Sequence, residues 1–208
     1  WSKGKLGDIE CRATSSVAHT YGKRRTYAEA FTSGLNLADN PYSCKARGER
    51  MFCDGINHFV LHVYVHQPRD GKMPGRNPWF GTAFHRNTPW FNEAQSWVKY
   101  LQRCHTMLQW GEPANDVLVY IGDFAPQMTG PANPVPAGCQ YDYVGSDAIL
   151  RKLDVVDGKW VTYDENAPTR ISASWPVMTI PPTLKYIRPH IQTRIDELEK
   201  KGGRIIRS

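Results

Sequence analysis

Several things are missing from this chain, and each absence narrows the choices. No run approaches the roughly 20 apolar residues of a membrane-spanning helix. There is no P-loop, no G-x-G-x-x-G turn, and no serine or cysteine nucleophile motif. No Cys-x-x-Cys pair occurs, and the five cysteines (Cys11, Cys44, Cys53, Cys104, Cys139) match no zinc-site spacing. Their odd number opposes a complete disulfide framework and favours buried thiols, with one bridge left open. The net charge of +6 is dispersed, from Lys3 and Lys5 through Arg24 and Arg25 to Lys200 and Lys201. A nucleic-acid partner would require a basic stripe with a recognisable motif, and neither is present. No internal repeat or low-complexity tract is visible. What the chain does have is 208 residues at 40% hydrophobic and 12% aromatic, enough core for one large domain or two small ones.

The periodicities alternate between helix and strand. Residues 8 to 22, DIECRATSSVAHTYG, read as a helix stopped at Gly22. RRTYAEAFTS follows as a short strand, residues 41 to 54 as a helix, and INHFVLHVYVHQP as a second strand. In residues 92 to 110, Trp97, Leu101, Cys104 and Leu108 recur at helical steps, and DVLVYIGD is a third strand. This rhythm predicts an α/β protein with parallel strands. APQMTGPANPVPAGC, with four prolines, reads as a linker. Beyond it YDYVGSDAILRKL suggests a helix, WPVMTIP a strand, IRPHIQTRIDELEKKGG a helix stopped by Gly202 and Gly203, and RIIRS a further strand. The expected organisation is 1–126, a linker at 127–139, and a small α/β module at 140–208.

Four places could carry chemistry. Glu29 ends a short strand just before a turn, where parallel α/β folds place catalytic groups; a surface glutamate would look the same. In FVLHVYVHQ, alternate side chains put Phe59, Leu61, Val63 and Val65 on one face and Val60, His62, Tyr64 and His66 on the other, and Gln67 follows this polar stripe. Those polar groups could bind a hydroxyl-rich ligand or transfer protons, or be satisfied histidines of a surface. His58, His62 and His66 are spaced about 13 Å per four residues, too far apart for one metal ion, so no metal site is expected. Residues 67 to 90 form a long loop with Trp79, Asn87 and Trp90 beside Asn77, Phe80 and Arg86. Aromatic faces beside amides suit a sugar; pinning the loop to the core is the alternative. Asp123 ends the third strand and fits a supporting or binding role rather than a catalytic one.

Taken together, SSVAHTYGK, YAEAFTS, GINHFVLHVYVHQP, NTPWF, WVKYLQRCHTMLQWG and DVLVYIGD resemble the bacterial α-L-rhamnosidases of glycoside hydrolase family 106. YDYVGSDAIL, VVDGKW and LEKKGGRII extend the resemblance past the linker. It implies a fold in two parts: the C-terminal part of a (β/α)₈, or TIM, barrel, then a partial flavodoxin-like α/β module. AEAFTS would end the seventh barrel strand and NHFVLHVYVHQ would be the eighth. It also implies a glycosidase, cleaving terminal sugars from plant or algal polysaccharides or glycosides, with Glu29 as its base or nucleophile. His62, Tyr64, His66, Gln67, Trp79, Asn87 and Trp90 would contact the sugar. No cofactor is required, though the family is compatible with Ca²⁺ near the sugar, and its habit implies a periplasmic or secreted location. A complete barrel takes about 250 residues, so the chain is expected to be an internal slice of a larger enzyme, lacking the early strands and the second carboxylate. The rival expectation is a non-catalytic piece that binds carbohydrate or assembles with a chain supplying those strands. A flavodoxin-like nucleotide binder would lack its phosphate loop.

Overall fold

The computed structural model describes residues 8–34, 38–71, 75, 80–123 and 135–207. In chain order the elements are α1 (Asp8–Thr20), β1 (Tyr27–Ala30), α2 (Pro41–Cys53), β2 (His58–Leu61), α3 (Ala94–Trp110), β3 (Val117–Gly122), β4 (Tyr141–Gly145), α4 (Ser146–Arg151), β5 (Leu153–Val156), β6 (Lys159–Asp164), β7 (Ala167–Trp175), β8 (Val177–Ile180), α5 (Pro189–Lys200) and β9 (Ile205–Arg207). The chain is a mixed α/β protein. It divides into two compact units, one of residues 1–8 and 27–110, the other of residues 9–26 and 111–208. The division falls at Trp110/Gly111 rather than in the proline-rich stretch, and α1 belongs with the second unit. Both differences arise because β3 and α1 make their hydrogen bonds to β4.

In the first unit β1 and β2 pair in parallel, Glu29 opposite Val60 and Ala30 opposite Leu61. The helix between them starts at a capping box, in which Asn40 accepts from the Ser43 amide and Ser43 returns a bond to Asn40 N–H. Pro41 in the first turn fits this start. An aromatic cluster fills the space behind the strands: Phe31 packs on Phe59 (5.3 Å between centroids) and Trp97 (5.4 Å), and Phe52 stacks on Phe59 at 4.6 Å. Gly48 of α2 permits this, since a Cβ there would lie 3.1 Å from the Phe31 ring.

The expected strand through His66 stops at Leu61, because the chain exchanges its partner there. Val63 N–H donates to Thr82 O at 2.8 Å, and Phe84 N–H to Val63 O at 3.0 Å. The expected alternation lapses at Leu61, His62 and Val63, which are all half-buried, and returns beyond them. Phe59 and Val65 are buried while Val60, Tyr64 and His66 are exposed.

The second unit contains a parallel sheet in the order β4-β3-β8-β9 and an antiparallel sheet β5-β6-β7. β3 is buried from Val117 to Tyr120, as expected for a parallel strand covered on both faces. YDYVGSDAILRKL is not one helix. Tyr141–Gly145 is the strand β4, and only Ser146–Arg151 is helical, because parallel pairing to β3 overrides local propensity. Asp157 (φ 49°) and Gly158 (φ 73°) make the tight turn of the β5-β6 hairpin. Gly202 (φ 103°) ends α5 as expected, and Gly203 passes so close to Trp160 that a Cβ would sit 2.9 Å from its ring.

Candidate active site

Glu29 stands near the carboxyl end of β1, exposed, with Thr32 Oγ1 donating to its Oε1 at 2.7 Å. The hydroxyl orients the carboxylate through Oε1, on a side chain that is exposed. Between them Phe31 takes a left-handed backbone (φ 64°) while its ring is fully buried. A bulky residue rarely adopts that conformation, and such backbone collects at functional sites.

The loop after β2 is woven to the one after β1. His62 N–H donates to Ala30 O, Thr82 N–H to His62 O, and Gly34 bridges Phe80. His62 lies flat against the Phe80 ring (5.1 Å, 22°), and its buried Nδ1 has no partner. Gly81 (φ 113°) is needed there, since a Cβ would fall 2.6 Å from that Nδ1.

The other expected contacts separate into groups. Gln67 and Asn87 come together, Asn87 Nδ2 donating to Gln67 Oε1. Arg86 joins them by donating to the Gln67 carbonyl at 3.0 Å, and its charge meets Asp70. Tyr64 and His66 point to solvent. Trp90 Nε1 donates to Asp39 O at 3.0 Å, and its ring meets Trp97 and Phe84 edge-on, so it holds the loop to the unit. Trp79 and Asn77 lie outside the described residues. Asp123, in the second unit, is ion-paired with Arg188 at 2.8 Å.

Two residues escaped the sequence reading. His85 is buried, its Nδ1 accepting the Asn87 N–H at 3.2 Å; burial, then the Arg86 charge, pushes its pKa below the ordinary value. It underpins the turn that presents Asn87. Asp39 is also buried, with one carboxylate oxygen unpartnered. Standing one residue before the N-cap, it reads in sequence as helix-start chemistry, and nothing local marks its burial. Among the described residues no group of three or more His, Cys, Asp or Glu could hold a metal ion. Among the described residues, the groups beside Glu29 do not make up a calcium site of several carboxylates.

A carboxylate at the carboxyl end of a parallel strand, flanked by loops rich in imidazole, amide and indole, is an arrangement typical of α/β enzymes. The comparisons carry this to a family: the profile described as alpha-L-rhamnosidase, glycoside hydrolase family 106, matches residues 2–208, and the chain belongs to that family. It is similar to the "Putative beta-glucuronidase" of Formosa agariphila, 31% identical over all of this chain and 17% of that protein. It is also similar in structure to the rhamnosidase from Novosphingobium sp. PP1Y, with a TM-score of 0.83 and 28% identity over 97% of this chain and 19% of that one. The chain thus spans about a fifth of the length of these relatives.

Proposed function

We propose that this chain is the part of an α-L-rhamnosidase that supplies the last strands of a catalytic barrel and, following it in sequence, a flavodoxin-like module. Glu29 acts as general base or nucleophile. The observation that carries this reading is the exposed, hydroxyl-oriented Glu29 carboxylate at a parallel strand end in a chain of this glycosidase family. Glycosidases use two carboxyl groups, and the second comes from the remainder of the protein. β1 and β2 act as the seventh and eighth barrel strands. As a parallel pair they favour this, because parallel sheets are covered on both faces and continue beyond two strands. The order β4-β3-β8-β9, second-first-third-fourth along the sheet, supports the flavodoxin-like assignment.

In this reading water approaches Oε2 of Glu29, while Thr32 holds Oε1. His62, neighboured by Phe80, and the Gln67–Asn87 pair meet sugar hydroxyls. Tyr64 and His66 border the sugar site, Trp90 holds its wall, and the setting is periplasmic or secreted. The test is hydrolysis of an aryl α-L-rhamnoside and an aryl β-D-glucuronide by the protein that carries this chain. Rhamnoside turnover should fall about 10²–10⁴-fold in Glu29→Gln. Undiminished turnover removes Glu29 from the mechanism, and preference for the glucuronide overturns the substrate.

A further inference from the structure

A small cavity in the first unit, with room for one water-sized species, is bordered by Ser33, Asp39, Gly81, Thr82 and Thr88. Its polar side chains are three hydroxyls and one carboxylate. Thr82 Oγ1 spends its proton on Phe31 O at 2.6 Å, and Thr88 Oγ1 spends its own on Ala83 O. Ser33 Oγ donates to Gly34 O at 3.0 Å or shares with Thr82 Oγ1 at 2.9 Å. Asp39, 6% exposed, receives Ser43 Oγ on Oδ1 at 3.2 Å, but its Oδ2 is buried with no partner. Three hydroxyl residues and one carboxylate residue therefore border the same small space.

A buried carboxylate with a single donor costs free energy unless its charge is compensated. A water molecule would bring donors but no charge. A calcium ion usually recruits several carboxylates and would keep an uncompensated positive charge beside the single carboxylate of this site, whereas one monovalent cation balances Asp39. We propose that the cavity binds one monovalent alkali cation, held by Asp39 Oδ2 and the hydroxyl oxygens of Ser33, Thr82 and Thr88. The ion ties the loop after β1 to residues 81–88, so it braces the segment that follows Glu29. The site stands independently of any role for Glu29 in hydrolysis.

The test is thermal unfolding of the whole chain in sodium, potassium, calcium and choline chlorides at equal ionic strength, with Asp39→Asn and Ser33→Ala beside it. Sodium or potassium should raise the midpoint over choline by about 2–4 °C. That difference should vanish in Asp39→Asn and shrink in Ser33→Ala, a one-oxygen deletion that keeps the charge. Identical midpoints in all four salts overturn the proposal in favour of a bound water. A rise confined to calcium replaces it with a divalent site, and an alkali-specific rise that survives in Ser33→Ala unchanged moves the ion elsewhere.

Discussion

At the scale of single residues, the second unit rests on one buried carboxylate. Asp142 is fully buried and accepts from His19 Nδ1 (2.9 Å), Asn115 Nδ2 (2.6 Å) and Trp175 Nε1 (2.9 Å). Burial pushes its carboxyl up, but these donors together outweigh it, so the pKa lies below the ordinary 3.8. A carboxyl lowered on folding stabilises the native state above its unfolded pKa, and this contribution is lost as pH falls through the folded value. Asp142 therefore contributes fully at neutral pH and fails only in acid below about pH 4. Asp142→Ala should cost about 3–5 kcal/mol, because three donors lose their acceptor; denaturant titration at neutral pH measures it. In the first unit, Gly81→Ala would put a Cβ 2.6 Å from His62 Nδ1 and 2.9 Å from the Val63 side chain. The variant is expected to fold while His62 moves off Phe80. On the function proposed above, its rhamnoside kcat/KM should drop at least about tenfold, and an unchanged value would take His62 out of sugar contact.

At the scale of elements, α1 is the instructive case. It lies along the open edge of β4, where Ser16 Oγ accepts the Tyr143 N–H at 2.9 Å and Arg12 donates to Tyr141 O. A helix thereby covers a strand edge that would otherwise invite pairing. Its end is stitched to the hairpin sheet, with Glu165 N–H donating to Gly22 O at 3.1 Å. Gly22 (φ 73°) has no room for a side chain, since a Cβ would lie 1.8 Å from Tyr163 O. Gly22→Ala combines backbone strain with that collision and should cost at least about 2 kcal/mol. Hydrogen exchange should then show loss of protection at the Tyr143 amide; full protection there would mean that α1 docks without this turn.

At the scale of the whole molecule, the chain amounts to 17–19% of the length of its relatives. On the reading proposed above, catalysis needs a second carboxyl group from outside these residues. The 208-residue chain alone should therefore hydrolyse neither aryl glycoside, even when circular dichroism shows it folded. Turnover by the chain alone, lost in Glu29→Gln, would show that the second carboxyl group lies within it.

Much of this was open to a reader of the sequence. Apolar periodicity located α3, β3, β8 and α5, the alternation foretold the burial of Phe59 and Val65 but not the half-buried Leu61, His62 and Val63 between them, and the turn signal after Glu29 anticipated its position near the end of β1. These signals are local, set by side-chain period and turn chemistry within a few residues. Asp157-Gly158 was equally legible as a hairpin turn, and marks β5-β6 in a segment read only as part of a small α/β module. Tertiary structure alone decided the rest. Tyr141–Gly145 becomes a strand because β3 offers a parallel partner, and α1 joins the second unit because His19 meets Asp142, 123 residues away. Asp39 turns inward through loops that close only when Thr82 and Thr88 come against Ser33. Pairing, burial and loss of solvent are properties of distant contacts, and no local pattern of side chains encodes them.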